Sequence, residues 1–382
     1  MTRVLLVQPS LQPPGGGNGV AAWMLQALVP DHQVTVLTWW PVQLEPINRF
    51  FGTSLDAGDF RRLEVPGALR AIDRLPVPAA LLRSSAFMRH TRRVAGGFDV
   101  VIGVNNETDF GRPGIQYIHY PTYLRPRPDA DLRWYHRAPL VLPAYYALAD
   151  RLAGFSEARM KANVTLVNSD WTGARVRQSL GIDTVTLYPP VADPGPAPAW
   201  GDRLPGFLAI GRISPEKELE RPMRILAKVR RHVPQVTLTV VGTWDRHSRR
   251  YYEWLRRLAA SLGPWITFRL DVPARELRSI IAAHRYGIHG MREEHFGMAP
   301  AEMVRAGLLV WVPNGGGQVE IVGSEPALVF DDEDEAVEKI ARALTDVAEE
   351  RRLRAWLAEC GARFSTARFT DEVRRIVGEF AG

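Results

Sequence analysis

With a single cysteine, Cys360, in 382 residues, the chain can form no intrachain disulfide, which points to a reducing compartment. Long apolar runs are also missing. The longest largely apolar stretch, Ala138 to Ala149, is twelve residues, well short of the roughly 20 that span a bilayer. Met1-Thr2-Arg3 leads directly into Val4-Leu5-Leu6-Val7 and Gln8-Pro9, too short a run for a signal-peptide core. These absences predict a cytoplasmic protein, at most peripherally attached to the inner face of a membrane. Acidic excess is lacking too: 48 Lys and Arg stand against 42 Asp and Glu, for a net charge of +6. Such a balance favours an anionic partner, whether nucleotide phosphates, a phospholipid surface or nucleic acid. The sequence has no zinc spacing, helix-turn-helix pattern or aromatic RNA-binding signature, which leaves nucleic acid without support.

What is present suffices for two ordinary domains, since 46% of the residues are hydrophobic and 24% charged. Arg3 to Gln8 has the continuous apolar character of a buried parallel strand, and it runs into Gly15-Gly16-Gly17-Asn18-Gly19 and an amphipathic segment from Val20 to Val29. A dinucleotide fingerprint would need an acidic residue closing the next strand, but Val34 to Leu37 ends in Thr38-Trp39-Trp40-Pro41. The glycines therefore read either as an open loop that admits a substrate to the backbone or as a plain turn. From Arg61 to Arg93 there are eight arginines and two acids among Leu69, Ile72, Leu75, Leu81, Leu82, Phe87 and Met88. This segment is expected to be helical, broken at Pro76 and Pro78, and either lies on an anionic membrane or is an ordinary basic surface.

Further strands are expected at Phe98 to Ile102, Ile115 to Ile118, Val164 to Val167 and Thr184 to Leu187. His119 stands where one of them emits its loop, the place where open α/β sheets put ligand-binding residues, although an isolated histidine there can equally be structural. Between Tyr188 and Gly206 six prolines replace any apolar periodicity. Strand and helix then alternate again from Phe207 to Phe330, and Thr370 to Phe380 is amphipathic and suited to packing back on the first half. The predicted class is α/β, with two Rossmann-like, doubly wound parallel-sheet domains: residues 1–188, a proline-rich linker 189–206, residues 207–364, and a C-terminal helix 365–382.

Chemistry concentrates in the second half. Gly211-Arg212-Ile213-Ser214-Pro215-Glu216-Lys217 leaves a strand with two cations that suit a diphosphate, Arg as a planar fork and Lys as a point charge. Farther on, the stretch from Gly290 to Val322 reads as loop, helix, strand and glycine loop. Glu294 lies before the helix and Glu302 within it, Pro300 suits the first turn and Gly307 the stop. Gly315-Gly316-Gly317 permits close backbone approach, with Glu320 nearby. Cations for a leaving diphosphate and carboxylates for sugar hydroxyls, without an Asp-x-Asp in an equivalent loop for a metal, imply glycosyl transfer from a nucleotide sugar. Paired carboxylates also serve glycosidases, but eight residues of separation disfavour a close acid–nucleophile pair.

The same residues resemble the retaining glycosyltransferases of family 4, which have the GT-B fold. Ile118-His119-Tyr120-Pro121-Thr122, Val167-Asn168-Ser169-Asp170-Trp171-Thr172, Leu187-Tyr188-Pro189-Pro190-Val191 and Glu294-His295-Phe296-Gly297-Met298 are similar to the Alg11-type mannosyltransferases that build lipid-linked oligosaccharides. The resemblance implies that Arg212 and Lys217 hold the donor diphosphate, that Glu294 contacts the donor sugar and that Glu302 takes the ribose hydroxyls. It implies that the amides around Phe296, Gly297 and Met298 assist, that His119 faces the sugar near the reacting carbon and that Gly16 and Gly17 border the acceptor. Catalysis should then depend on closure across the proline-rich linker. The implied donor is GDP-mannose in preference to a UDP-sugar, the acceptor a glycan, a lipid-linked glycan or a small molecule, and neither cofactor nor metal is expected. A UDP-sugar epimerase on the same fold and a non-catalytic sugar-nucleotide-binding scaffold are the alternatives.

Overall fold

The computed structural model describes residues 1–70, 80–121, 149, 151–244 and 248–382. Two units emerge, Met1–Pro190 with Ala367–Gly382, and Val191–Thr366. In the first, strands β1 (Arg3–Val7), β2 (Gln33–Thr38), β3 (Arg61–Glu64), β4 (Val100–Gly103), β5 (Ile115–Ile118), β6 (Val164–Val167) and β7 (Val185–Thr186) form a seven-stranded sheet in the order β3-β2-β1-β4-β5-β6-β7. Every pairing is parallel. Parallel strands are covered on both faces, which is why β1 is a run of Val4, Leu5, Leu6 and Val7 with at most 3% exposure instead of an alternating pattern. Strand order reverses between β1 and β4, so the loops after these two strands diverge and leave a crevice at that edge.

One face of this sheet is covered by the helix Gly16–Leu28, through Val20, Met24, Leu25 and Leu28. The same core includes Phe369, Val373, Ile376 and Val377 of the C-terminal helix Thr366–Ala381. These four residues follow the i, i+4, i+7, i+8 spacing of one helix face. Arg374 adds a hydrogen bond from Nε to the Ala27 carbonyl at 3.0 Å. Burying side chains of this size contributes about 1.5–3 kcal/mol each, so the terminal helix is integral to this core.

The opposite face holds Trp39, Ala86, Phe87 and Phe110, with Trp39 stacked on Phe87 at 5.7 Å. This corrects the reading of Arg61–Arg93 in one respect. Arg61–Glu64 is an edge strand on β2, not the start of a helix. In the helix Ala80–Val94, Phe87 and Met88 are buried and Arg92 donates from Nη1 to the Ala153 carbonyl at 2.7 Å. Phe87 and Met88, two of the apolar residues of that segment, are thus inside the protein. Residues 71–79 of that segment, Thr122, and residues 138–148 of the apolar run lie outside the described residues.

The second unit repeats the architecture with β8 (Leu204–Ile210), β9 (Leu238–Gly242), β10 (Ile266–Leu270), β11 (His284–Ile288), β12 (Leu309–Pro313) and β13 (Val329–Phe330). The order is β10-β9-β8-β11-β12-β13, again wholly parallel. Here the reversal falls between β8 and β11, and the loops these strands emit are the ones that carry Lys217 and Glu294. Phe207, Tyr286 and Trp311 pack ring to ring across β8, β11 and β12, with centroids 5.1 to 6.2 Å apart. Among the described residues, no helix is long and apolar enough to cross a membrane.

Candidate functional site

After β8 the chain stays close to β9, with Gly211 N–H bonded to the Val241 carbonyl at 3.1 Å and Ile213 N–H to that of Thr243 at 2.8 Å. A short 3-10 turn, Pro215–Lys217, starts after extended Ser214 and ends at Glu218, whose φ is +46°. The two cations part company in this loop. Arg212 points outward, 71% exposed, with Glu216 at 3.3 Å. Lys217 turns inward and is 17% exposed.

The loop after β11 locks onto this turn. A Cβ on Gly290 would stand 2.8 Å from the Lys217 carbonyl oxygen and nearer still to that of Glu218, so no larger residue fits. Arg221, buried and ion-paired with Glu218, donates from Nη1 to the Gly290 carbonyl at 3.0 Å. The interlock delivers Glu294 to Lys217, with Oε2 2.5 Å from Nζ. His289 Nε2 is 3.4 Å from the same oxygen and has no hydrogen-bond partner that competes for it. Burial alone would raise the Glu294 carboxyl, but the bond with His289 and the charge of Lys217 outweigh it and hold the group well below the usual carboxylate range.

Beyond Glu294, Gly297 caps the helix Met298–Arg305 at φ +107°, a conformation that favours glycine. Phe296 is buried against Phe364 at 5.6 Å, so its ring belongs to the core and only its backbone can serve a ligand. Gly307 ends the helix at φ +81°. The glycine loop does approach a backbone closely, but that backbone is the protein's own. Gly317 N–H bonds the Glu294 carbonyl at 2.8 Å, and a Cβ on Gly316 would meet Glu294 N at 2.7 Å. Gln318, fully buried, donates from Nε2 to the carbonyls of Arg292 at 2.7 Å and Pro313 at 2.9 Å. It ties the β11 and β12 loops together.

Glu302 is a different kind of carboxylate. It is half-buried and shares no hydrogen bond or ion pair with Lys217, Arg212 or Glu294. Burial pushes its carboxyl up to about 7, with only a partial offset from the charge of Arg278. An acceptor-rich group without donors among the described residues is suited to receiving hydroxyls from a ligand.

In the first unit, His119 follows β5 and its imidazole Nε2 is 3.0 Å from the Val104 carbonyl. Asn106, at φ +61°, accepts the His119 N–H on Oδ1 at 2.8 Å, and Asn168 donates from Nδ2 to the His119 carbonyl at 2.9 Å. A Cβ on Gly17 would come within 2.9 Å of His119 Nε2. Gly16 and Gly17 form the first turn of the helix after β1, and Gly17 and His119 thus meet at the switch point of this sheet.

The structure thus joins Lys217 to Glu294 and Gly17 to His119, keeps Arg212 exposed and sets Glu302 apart. Lys217 is ion-paired with Glu294 in this structure, a contact the sequence did not announce. Sequence reasoning missed His289, Gln318 and Asn106, and named Asn168 only within a motif, without its bond to His119. Each stands at the end of a strand or the start of a short helix, a positional signal, yet their partners are backbone carbonyls or long-range contacts that no local motif reveals. Among the described residues no group of three or more His, Cys, Asp or Glu is placed to hold a metal ion.

Comparison with known proteins places these features in a family setting. Residues 198–359 match the family described as Glycosyl transferases group 1. The chain is similar to the human GDP-Man:Man(3)GlcNAc(2)-PP-Dol alpha-1,2-mannosyltransferase, 29% identical over 55% of this chain and 46% of that protein. It is also similar to human Alpha-1,3/1,6-mannosyltransferase ALG2, 24% identical over 68% of this chain and 66% of that protein. The match thus spans less than half the length of the first of these relatives. Among solved structures, Anabaena Alr3699/HepE in complex with UDP and glucose superposes with a TM-score of 0.68 at 15% identity, over 99% of this chain and 100% of that one. WaaG, a glycosyltransferase involved in lipopolysaccharide biosynthesis, gives 0.69 at 15% identity over 98% of this chain and 99% of that one. These likenesses show the GT-B fold.

Proposed function

We propose that this chain, whose residues 198–359 form a group 1 glycosyltransferase domain on a GT-B fold, transfers mannose from GDP-mannose to a glycan or lipid-linked acceptor with retention of configuration. The observation that carries the reading is the Lys217–Glu294 pair at the point where the loops of β8 and β11 diverge. A diphosphate entering there offers Lys217 a second anion, and Arg212 supplies a mobile guanidinium beside it. As Lys217 turns to the phosphates, Glu294 is released to accept hydrogen bonds from the donor sugar, with His289 still beside its Oε2. Glu302 takes the ribose hydroxyls. The amides at the start of the helix Met298–Arg305 add positive potential.

Retention follows from a same-side displacement. The glycosidic C–O bond to the diphosphate breaks as the acceptor oxygen bonds the same carbon, and the leaving phosphate oxygen takes the acceptor proton. The protein supplies orientation and positive charge, with no metal required. Acceptor binding is assigned to the first unit, where Gly16, Gly17 and His119 stand at the switch point.

The test is a panel of GDP-, UDP- and ADP-sugars scored by thermal shift, followed by product analysis. Stabilisation by GDP-mannose above the others, with an α-linked product, is expected. Stabilisation by none of them would sink the reading, and a preference for UDP-sugars would overturn the donor. Turnover should survive EDTA; loss on chelation, restored by Mg²⁺ or Mn²⁺, would refute the metal-free mechanism.

A further inference from the structure

In the second unit the helix Arg249–Leu262 carries four arginines and one glutamate. Its inner side is settled: Leu255 and Ala259 are buried. Its outer side is not neutralised. Arg249 takes Glu253 at 2.8 Å, and the same single carboxylate also feels the charges of Arg256 and Arg257, so one glutamate faces four arginines along the helix. Arg250, Trp254, Arg257 and Ser261 follow the four-three-four spacing that places residues on one strip of a helix, and all four are exposed.

Both borders of this basic face carry an exposed indole. On one, Trp254 is 40% exposed and stacks on Tyr251 at 5.7 Å. On the other, Tyr252 packs against Trp244, itself 40% exposed, at 5.7 Å. A helix that only met water would leave arginines outward but would gain nothing from keeping two large rings half out. Guanidinium groups flanked by indoles match a phospholipid surface, where Arg reaches phosphate and Trp sits at headgroup level. The helix Ala80–Val94 of the first unit lacks this arrangement, since its Phe87 and Met88 are buried.

We propose that the outer face of the helix Arg249–Leu262, bordered by Trp244 and Trp254, docks on an anionic phospholipid bilayer. The proposal rests on this surface alone and does not depend on the donor or on the transfer reaction. It is tested by co-sedimentation of the full chain with vesicles of phosphatidylcholine, alone or with roughly one-third phosphatidylglycerol, over a range of salt. Binding should require the anionic lipid and fall as salt rises. R250E/R257E should weaken partition at least about tenfold, since each basic residue near such a surface contributes on the order of a fivefold factor. W254A should weaken it several-fold while preserving the salt dependence. R89E/R93E, on the first unit's helix, should leave it unchanged. The arginine variants should melt with the parent, since those side chains are exposed, and W254A only slightly below it, through the lost stack on Tyr251. Equal binding to neutral vesicles, no binding at low salt, or loss in R89E/R93E with none in R250E/R257E would overturn the proposal. So would a concentration-dependent dimer, seen by light scattering and abolished in R250E/R257E, without vesicle binding.

Discussion

Replacing Lys217 by Met separates stability from binding in a way no other substitution at the site does. Both members of the Lys217–Glu294 pair are 17% exposed and their charged atoms lie 2.5 Å apart. Removing one partner of a buried pair typically costs 3–5 kcal/mol, because the other is left desolvated and uncompensated. Here His289 still faces Glu294 at 3.4 Å, so the carboxylate is not wholly abandoned and the expected cost of K217M is about 2–3 kcal/mol. E294Q should cost about the same, and the double variant less than the sum, with a coupling of about 1–2 kcal/mol. The two single variants should diverge in binding. Glu294 competes with a diphosphate for the Lys217 ammonium, so E294Q should bind GDP about tenfold more tightly while losing most turnover, whereas K217M should lose both. Urea unfolding supplies the stabilities and calorimetric titration the affinities. Additive stabilities in the double variant, or GDP affinity unchanged in E294Q, would refute the idea that the pair is closed on itself before the donor arrives.

Other consequences can be checked with the same assays. R212A should leave stability within about 0.5 kcal/mol, as expected for a guanidinium 71% exposed, yet lower turnover strongly; unchanged turnover would remove Arg212 from the site. Glu302, with its carboxyl pushed up to about 7, penalises folding once it ionises. A raised carboxyl binds more protons folded than unfolded, so the penalty begins above the ordinary glutamate range near 4.5 and is complete above about 7. E302Q should therefore be more stable than the parent at pH 8, by about 3 kcal/mol, and equal to it near pH 4, while donor affinity falls; lower stability at pH 8 would refute the assignment. Glu294 has the opposite sign: its contribution is present above the ordinary glutamate range and is lost only as pH falls below it. G290A should cost at least 2–3 kcal/mol or so by pushing the β8 and β11 loops apart, and a near-neutral melting temperature would show that the loops are not interlocked.

Much of this was legible in the sequence because parallel strands buried on both faces announce themselves as continuous apolar runs. Ile115–Ile118 and Val164–Val167 stand at their expected bounds for that reason. The edge strand Arg61–Glu64 was missed because it is mostly exposed and charged, with only Leu63 turned to the core, so that the backbone ladder to β2 is what makes it a strand. In the site, the motif residues themselves were visible as Gly211, Lys217, Gly290 and Glu294. Their contacts were not. That Gly290 is required by two carbonyl oxygens 72 and 73 residues earlier in the chain is a fact of tertiary approach. Likewise, the apolar spacing of Ala80–Val94 fits a membrane face and a protein core equally well, and the core position of Phe87 is visible only in its stacking on Trp39.

The terminal helix has a consequence for how the molecule is made. Its residues Phe369, Val373, Ile376 and Val377 complete the core of a unit whose other residues end at Pro190. During synthesis, the first sheet therefore leaves the ribosome with one flank uncovered and waits while all of Val191–Thr366 is translated, about 10–40 s at ordinary elongation rates. The second unit, continuous in sequence, faces no such delay. An incomplete chain that stops after Thr366 would carry a finished second unit and a first unit whose core lacks the four apolar residues of the terminal helix, the uncovered surface by which quality control would recognise it.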